Sequence, residues 1–299
     1  MKTILLTYLA LFSALSTYAS VNSETEGLLR GYLSPLDAKV GVCVLNDEGA
    51  ISINALDSFP MLSVMKFPLA LTVADKLRRD NLSLEQIVPV ISEQLHTDTY
   101  SPMLSRYPAG EDYGISVWKL LDYSLRYSDN NACDILIDYV GGVPEIKNWL
   151  HDKGYSGIDV NWTEDEMHSD IVRCYLNTST PFEMARLFRD FLNDSGDSIS
   201  MQIKRIIENC DTGKDRLPRM IPEDRAVIGH KTGTGDRDPQ TNRIIAVNDA
   251  GYVMLPDGRS YAIAVFVTDS GYSLERTEDI ISQVSEIVWN SFTAPKRNM

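Results

Sequence analysis

The sequence predicts an α+β protein in which strands from both ends of the chain form one antiparallel sheet and helices fill the middle. Three observations lead there. Strand-like patterns occur at 38–46, 50–56, 226–233, 243–255 and 260–268; helical spacing dominates from 63 to about 210; and a last helical pattern runs from about 273 to 292. The first and last helices would flank the sheet, and the cleft between sheet and helical part is where a site is expected.

The first nineteen residues stand outside that layout. Lys2 precedes an apolar run from Ile4 to about Leu15, and Thr17-Tyr18-Ala19 ends it in the manner of a signal-peptidase site. Cleavage after Ala19 or Ser20 would leave one domain over 20–299. Its α/β part would lie at about 20–58 and 212–299, its helical part at about 59–211. The apolar run is too short to span a bilayer, and no cysteine near the cleavage point offers a lipid anchor, so an exported, soluble monomer is expected.

Within the domain, 23–35 reads as a short amphipathic helix, and Asn46-Asp47-Glu48-Gly49 turns the first strand into the second. Helices are expected at 63–79, 116–126, 130–140, 144–154, 181–193 and 199–209. The stretch 156–180 is long, acidic and without clear period, which marks a loop that is functional or disordered. "PDG" at 256–258 is a hairpin turn.

The formal charge of −14 argues against nucleic acid and anionic membrane as partners. It also requires a local positive pocket for any anionic ligand. His96, His151, His168 and His230 form no metal-binding spacing, and no metal or other cofactor is expected. Cys43 and Cys133 lie in core-like patterns. The four cysteines, with Cys174 and Cys210, allow three pairings among which the sequence does not choose.

"FPMLSVMKFPLALT" at 59–72 holds only three polar side chains, Ser63, Lys66 and Thr72. On a helix, residues three apart share a face. Burial should lower the pKa of Lys66 and make it a base for Ser63. A second S-x-x-K, Ser116 to Lys119, follows Glu111, Asp112 and Gly114 and reads instead as a helix cap with a solvated lysine. Ser128-Asp129-Asn130 opens the helix 130–140, and Lys231-Thr232-Gly233 lies on a late strand. Singly, the first is an ordinary cap and the second an ordinary strand end; their order and setting are what select the chemistry.

S-x-x-K, S-D-N and K-T-G in this order resemble the class A serine β-lactamases, which share the motifs with penicillin-binding proteins. "TYSPML" at 99–104, "YSDNNACD" at 127–134 and "GHKTGTG" at 229–235 extend the resemblance over essentially the whole chain after the leader. "TEDEMHSD" is similar to the acidic loop of the cephalosporin-hydrolysing branch. The resemblance implies a serine β-lactamase/transpeptidase-like fold and periplasmic hydrolysis of small β-lactams, with antibiotic resistance as the outcome. Ser63 would be the acylated nucleophile, Lys66 its proton partner and Ser128 the relay to the lactam nitrogen. Glu164 would hold the deacylating water. The backbone N–H groups of Ser63 and Thr234 would form the oxyanion hole. Asn130 would bind the substrate amide, and Lys231, Thr232, Thr234 and Arg216 its carboxylate, with Tyr100 as a wall at the cleft mouth.

Three departures from the family pattern concern the acidic loop: His168 stands where an asparagine is usual, Asp165 where proline is common, and Trp162 where an arginine often braces the loop. A ring nitrogen of His168 is expected to help hold the water. Leu62 replaces the cysteine of disulfide-bearing carbapenem-hydrolysing relatives, so carbapenem hydrolysis is not expected. A D-Ala-D-Ala peptidase or other penicillin-binding protein, and a non-hydrolytic β-lactam receptor, share the three motifs. Glu164 and the absence of an anchor or signalling segment separate the hydrolase from both.

Overall fold

The computed structural model of the chain describes residues 22–194 and 196–294; the expected leader lies outside them. Helix α1 (22–33) leads into the hairpin β1 (Lys39–Asn46) and β2 (Gly49–Ile53), and β3 (Phe59–Pro60) follows. A 3₁₀ turn at Leu62–Met65 enters α2 (Lys66–Arg79). After β4 (Ile87–Val90) and β5 (Tyr113–Ser116) come α3 (Val117–Leu121), α4 (Asn130–Val140) and α5 (Val143–Asp152). Next are β6 (Ile158–Asp159), α6 (Glu164–Ser169), β7 (Thr178–Ser179), α7 (Pro181–Asn193) and α8 (Ser198–Glu208). The chain closes with β8 (Val227–Thr234), β9 (Ile244–Met254), β10 (Ser260–Ser270) and α9 (Leu274–Thr293).

The main sheet is antiparallel in the order β2-β1-β10-β9-β8, so strands from the two chain ends pair side by side. Strand periodicity sorts its two faces. Val40, Val42 and Val44 join Ile263, Val265 and Val267 against Leu29 of α1 and Ile280, Val284 and Val288 of α9. Cys43, Leu45, Ala264 and Phe266 point the other way, into a core shared with α2, α4 and α7. The core of the middle helices therefore continues onto the sheet. Phe67 of α2 stacks on Phe188 of α7 with ring centroids 3.8 Å apart, so truncating either ring should cost about 3–5 kcal/mol.

Local chemistry ends the helices where the sequence suggests. Asp129 caps α4 by accepting from the Ala132 N–H, and Gly141, at φ +112°, stops it in a left-handed turn. Ser116 caps α3, as expected, while Lys119, expected on a solvated face, is half-buried and pairs with Asp122 at 2.9 Å. Cys43 and Cys133 are fully buried, and all four cysteines are free thiols.

Two features were not read from sequence. The small sheets β4-β5 and β3-β7-β6 consist of segments too short to alternate visibly. The stretch 156–180 is also more ordered than its lack of period indicates: it holds α6 and a 3₁₀ turn at Ile171–Tyr175. Six residues cannot display a helical period, and capping sets this helix instead. Thr163 accepts from the Glu166 N–H, and Glu166 accepts from the Thr163 N–H.

Candidate active site

Ser63 sits in the 3₁₀ turn ahead of α2, just after Leu62, whose φ of +48° bends the chain sharply. This turn is fastened to β9 and β8. Asn248 Nδ2 donates to the Pro60 and Met61 carbonyls at 2.7 and 3.2 Å, and Met61 O crowds Gly233, where a Cβ would press against it. The glycine of K-T-G is thus required by close approach of two backbones. Ser128 is delivered by a wide π turn at Asp122–Arg126 and holds a φ of +59°. Buried Asp129 fixes it from behind, accepting from Ser101 Oγ and the N–H groups of Met103 and Ala132. Left-handed backbone at Leu62, next to Ser63, and at Ser128 fits a site that the surrounding structure overdetermines.

The side chains converge on Ser63. Its hydroxyl donates to Glu164 Oε1 at 3.0 Å, and Lys66 Nζ donates to Ser63 Oγ at 3.0 Å. Lys66 also reaches Ser128 O and Asn130 Oδ1, both at 2.7 Å, and pairs with Glu164 at 2.9 Å. Asn130 Nδ2 donates to Thr99 Oγ1 at 2.9 Å. On the far side Lys231 Nζ donates to Ser128 Oγ at 2.9 Å and to Thr232 O at 2.7 Å. Thr232 Oγ1 and Thr212 Oγ1 share a 2.6 Å hydrogen bond, and Arg216 Nη2 donates to Thr234 Oγ1 at 2.6 Å. Leu62, Ser63, Tyr100, Ser128, Asn130, Glu164, Thr212, Arg216, Thr232 and Thr234 line a cleft of about 290 Å³.

Arg216 is only 3% exposed and pairs with Glu278 at 3.1 Å, so it belongs to the site wall rather than to a solvated loop. Tyr100 is exposed at the mouth. His168 does not join the network. It is exposed, its Nε2 lies 3.9 Å from Asp98 Oδ2, and it is absent from the lining of the cleft. The ring expected beside the Glu164 water instead follows the outer face of α6, away from Ser63, Lys66 and Glu164. Trp162 finds its own brace: the Arg173 guanidinium lies 4.3 Å from its ring centroid.

Electrostatics revise the reading of Lys66. Burial is the largest single influence and presses its charge down, but the charge and hydrogen bond of Glu164, together with Cys133 and Asp129, outweigh it, and the pKa lies above the ordinary lysine value. The lowered lysine is Lys231: burial, then the Lys66 charge, bring it down to about 7. A hydroxyl held between a carboxylate and an ammonium can lose its proton to the carboxylate while the ammonium stabilises the pair.

Comparison with known proteins agrees with this geometry. Residues 25–292 match the sequence profile of the β-lactamase enzyme family. The chain belongs to the class A β-lactamases. It is 38% identical to a β-lactamase of Bacteroides uniformis, over 97% of this chain and 99% of that protein. It is 34% identical to the extended-spectrum β-lactamase PER-1 of Pseudomonas aeruginosa, over 84% and 82%. The crystal structure of a class A β-lactamase from Bacteroides cellulosilyticus superposes with a TM-score of 0.87 at 36% identity, covering 92% of this chain and 99% of that one. The protein is accordingly a serine hydrolase acting on β-lactams.

Several polar residues that position this β-lactamase site escaped sequence reasoning. Asp134 Oδ1 and Oδ2 accept the Glu164 and Asp165 N–H groups, each at 2.8 Å. Asn177 Oδ1 accepts from the Asn161 and Trp162 N–H groups, and its Nδ2 donates to Trp162 O. Asn248 carries no motif, and only its place between strand-forming neighbours marks it as unusual. Glu166 is accounted for by its capping bond at 3.0 Å, which leaves Glu164 as the carboxylate that faces Ser63.

Proposed function

We propose that this β-lactamase hydrolyses cephalosporins and penicillins in the periplasm through a Ser63 acyl-enzyme that a Glu164-held water releases. The observation that carries the proposal is Ser63 Oγ lying 3.0 Å from both Glu164 Oε1 and Lys66 Nζ. With Lys66 held in its charged form, Glu164 is the group able to accept the Ser63 proton as Oγ attacks the lactam carbonyl. The Ser63 and Thr234 N–H groups stabilise the oxyanion. Collapse breaks the C–N bond, and Ser128, hydrogen-bonded to Lys231, hands its proton to the departing nitrogen; the proton that Glu164 took from Ser63 passes through Lys66 to Ser128, which leaves Ser128 a hydroxyl and Glu164 a carboxylate again.

Release reverses the roles. Once Oγ is esterified it has no proton to donate, and Glu164 Oε1 is free to take one from a water that attacks the ester. The products are the ring-opened acid and Ser63 with its hydroxyl restored. Lys231, Thr232, Thr234 and Arg216 form the carboxylate seat, and Asn130 the amide contact. Cephalosporins are included on the strength of the TEDEMHSD loop and of the similarity to a protein named an extended-spectrum β-lactamase.

The test is intact-protein mass during turnover of a chromogenic cephalosporin by the mature chain and by Glu164→Gln. Wild type should turn the dye over and return to its free mass, while the variant accumulates an adduct on Ser63. A wild-type adduct lasting for hours would instead make the protein a β-lactam receptor or target.

A further inference from the structure

Behind the carboxylate seat lies a buried ion pair that the proposed reaction does not use. His230, next to Lys231 on β8, is 3% exposed, and Asp249 on β9 is fully buried. His230 Nδ1 lies 2.9 and 3.0 Å from the two Asp249 oxygens. Burial presses the imidazole charge down, but Asp249, and after it Cys210, outweigh burial and bring the ring up to about 10, so it stays charged and donates through Nδ1. A glycine makes the room: a Cβ on Gly251, which faces His230 in the β8–β9 register, would collide with Gly229 O and His230 Cβ.

The same carboxylate reaches a third piece of chain. Asp249 Oδ2 accepts the Leu217 N–H at 3.2 Å, and Ser285 Oγ of α9 donates to Leu217 O at 2.8 Å. Leu217 follows Arg216, whose guanidinium donates to Gly233 O, Asn248 O and Thr234 Oγ1 at 3.1, 2.9 and 2.6 Å. One buried carboxylate therefore grips β8 at the residue before Lys231 and the neighbouring segment at the residue after Arg216. These two cationic arms of the seat come from separate pieces of chain, and their relative placement decides whether both can meet one carboxylate.

We propose that Asp249 is a positioning residue: through His230 and the Leu217 N–H it sets Lys231 and Arg216 relative to each other, and so sustains a preference for substrates that carry a ring carboxylate. This rests on the reading of the carboxylate seat given above. Neither Asp249 nor His230 lines the cleft, so the effect passes through the backbone of both arms.

The test compares kcat/KM of the mature chain for a chromogenic cephalosporin and for the methyl ester of its ring carboxylate. Asparagine at this position loses the charge and, whichever way it is turned, sets an NH₂ against His230 Nδ1. Asp249→Asn should lower the acid-over-ester ratio about tenfold or more, the worth of one hydrogen bond to a charged group, chiefly through KM for the acid. A merely structural role would lower the acid and ester values together and leave the ratio alone. Tyr252→Phe supplies that comparison: it loses the 2.9 Å bond from Tyr252 OH, on the same strand, to Glu208, and should keep the ratio. Should Asp249→Asn fail to fold, the double variant His230→Leu/Asp249→Asn, which leaves neither charge buried without its partner, is assayed in its place. A ratio within about twofold of wild type in the Asp249 variant, or an equal loss in Tyr252→Phe, overturns the proposal and leaves the seat standing. A wild-type ratio near one overturns the seat itself, and the proposal with it.

Discussion

Replacing Asp134 by asparagine should separate stability from activity. The carboxylate accepts two backbone N–H groups of the loop that carries Glu164, each at 2.8 Å. Asparagine keeps the shape but turns an amide NH₂ toward one of them, losing a hydrogen bond worth about 0.5–1.5 kcal/mol and leaving that N–H without its acceptor. Against this stands the cost of ionised Asp134, which burial and then the Glu164 charge raise from 3.8 to about 7. A rise of roughly 3 units corresponds to about 4 kcal/mol. A carboxyl whose folded pKa exceeds its unfolded one holds its proton longer in the native state, so wild-type stability declines as pH rises from about 4 to about 7. Asparagine has no such slope. Urea unfolding should therefore show Asp134→Asn less stable than wild type at pH 4.5 and equal or more stable at pH 8. At both pH values the weakened loop should slow deacylation. A loss of about 2 kcal/mol in placing Glu164 is roughly thirtyfold in rate, read as accumulated acyl adduct. A stability gap that stays constant between pH 4.5 and 8 would refute the buried-carboxylate argument.

Three further outcomes follow from the same geometry. Lys231, brought down to about 7, loses its charge as pH rises, so KM for a carboxylate-bearing lactam should be about tenfold higher at pH 8 than at pH 6. Lys231→Arg should flatten that profile, and a flat wild-type profile would contradict it. Gly233→Ala would force a Cβ against Met61 O and within 3.2 Å of Leu62 Cβ, with an expected loss of about 1–3 kcal/mol in urea unfolding and of most activity. His168→Asn should leave kcat within about twofold between pH 5 and 8, since the ring lies toward Asp98 on the outer face of α6; stopped-flow deacylation rates check this.

The parts of this molecule that were legible in its sequence are those whose cause is local. β1, β9 and β10 read as strands because each faces a core on both sides and is largely apolar along its length, and α4 begins and ends on residues whose own side chain or φ does the capping. The two S-x-x-K copies differ in their immediate neighbours, and that was enough to separate the serine that meets Lys66 and Glu164 from the one that caps a helix. What stayed hidden depends on partners far along the chain. Asn248 meets Pro60 across 188 residues, and Asp134 meets Glu164 across 30. Neither belongs to a motif that would announce a partner. Lys66 shows why this matters for mechanism. Its burial was visible in an apolar stretch and correctly implied a downward push on its charge. Its ionisation, however, follows from Glu164, which the acidic stretch placed in the site but could not place within 2.9 Å of the ammonium. The same burial, joined by the Lys66 charge and with no carboxylate at ion-pair distance, does lower Lys231. Two buried lysines in one cleft thus go in opposite directions because only one has a directly paired carboxylate. The assignment of acid and base follows from that difference in pairing rather than from burial.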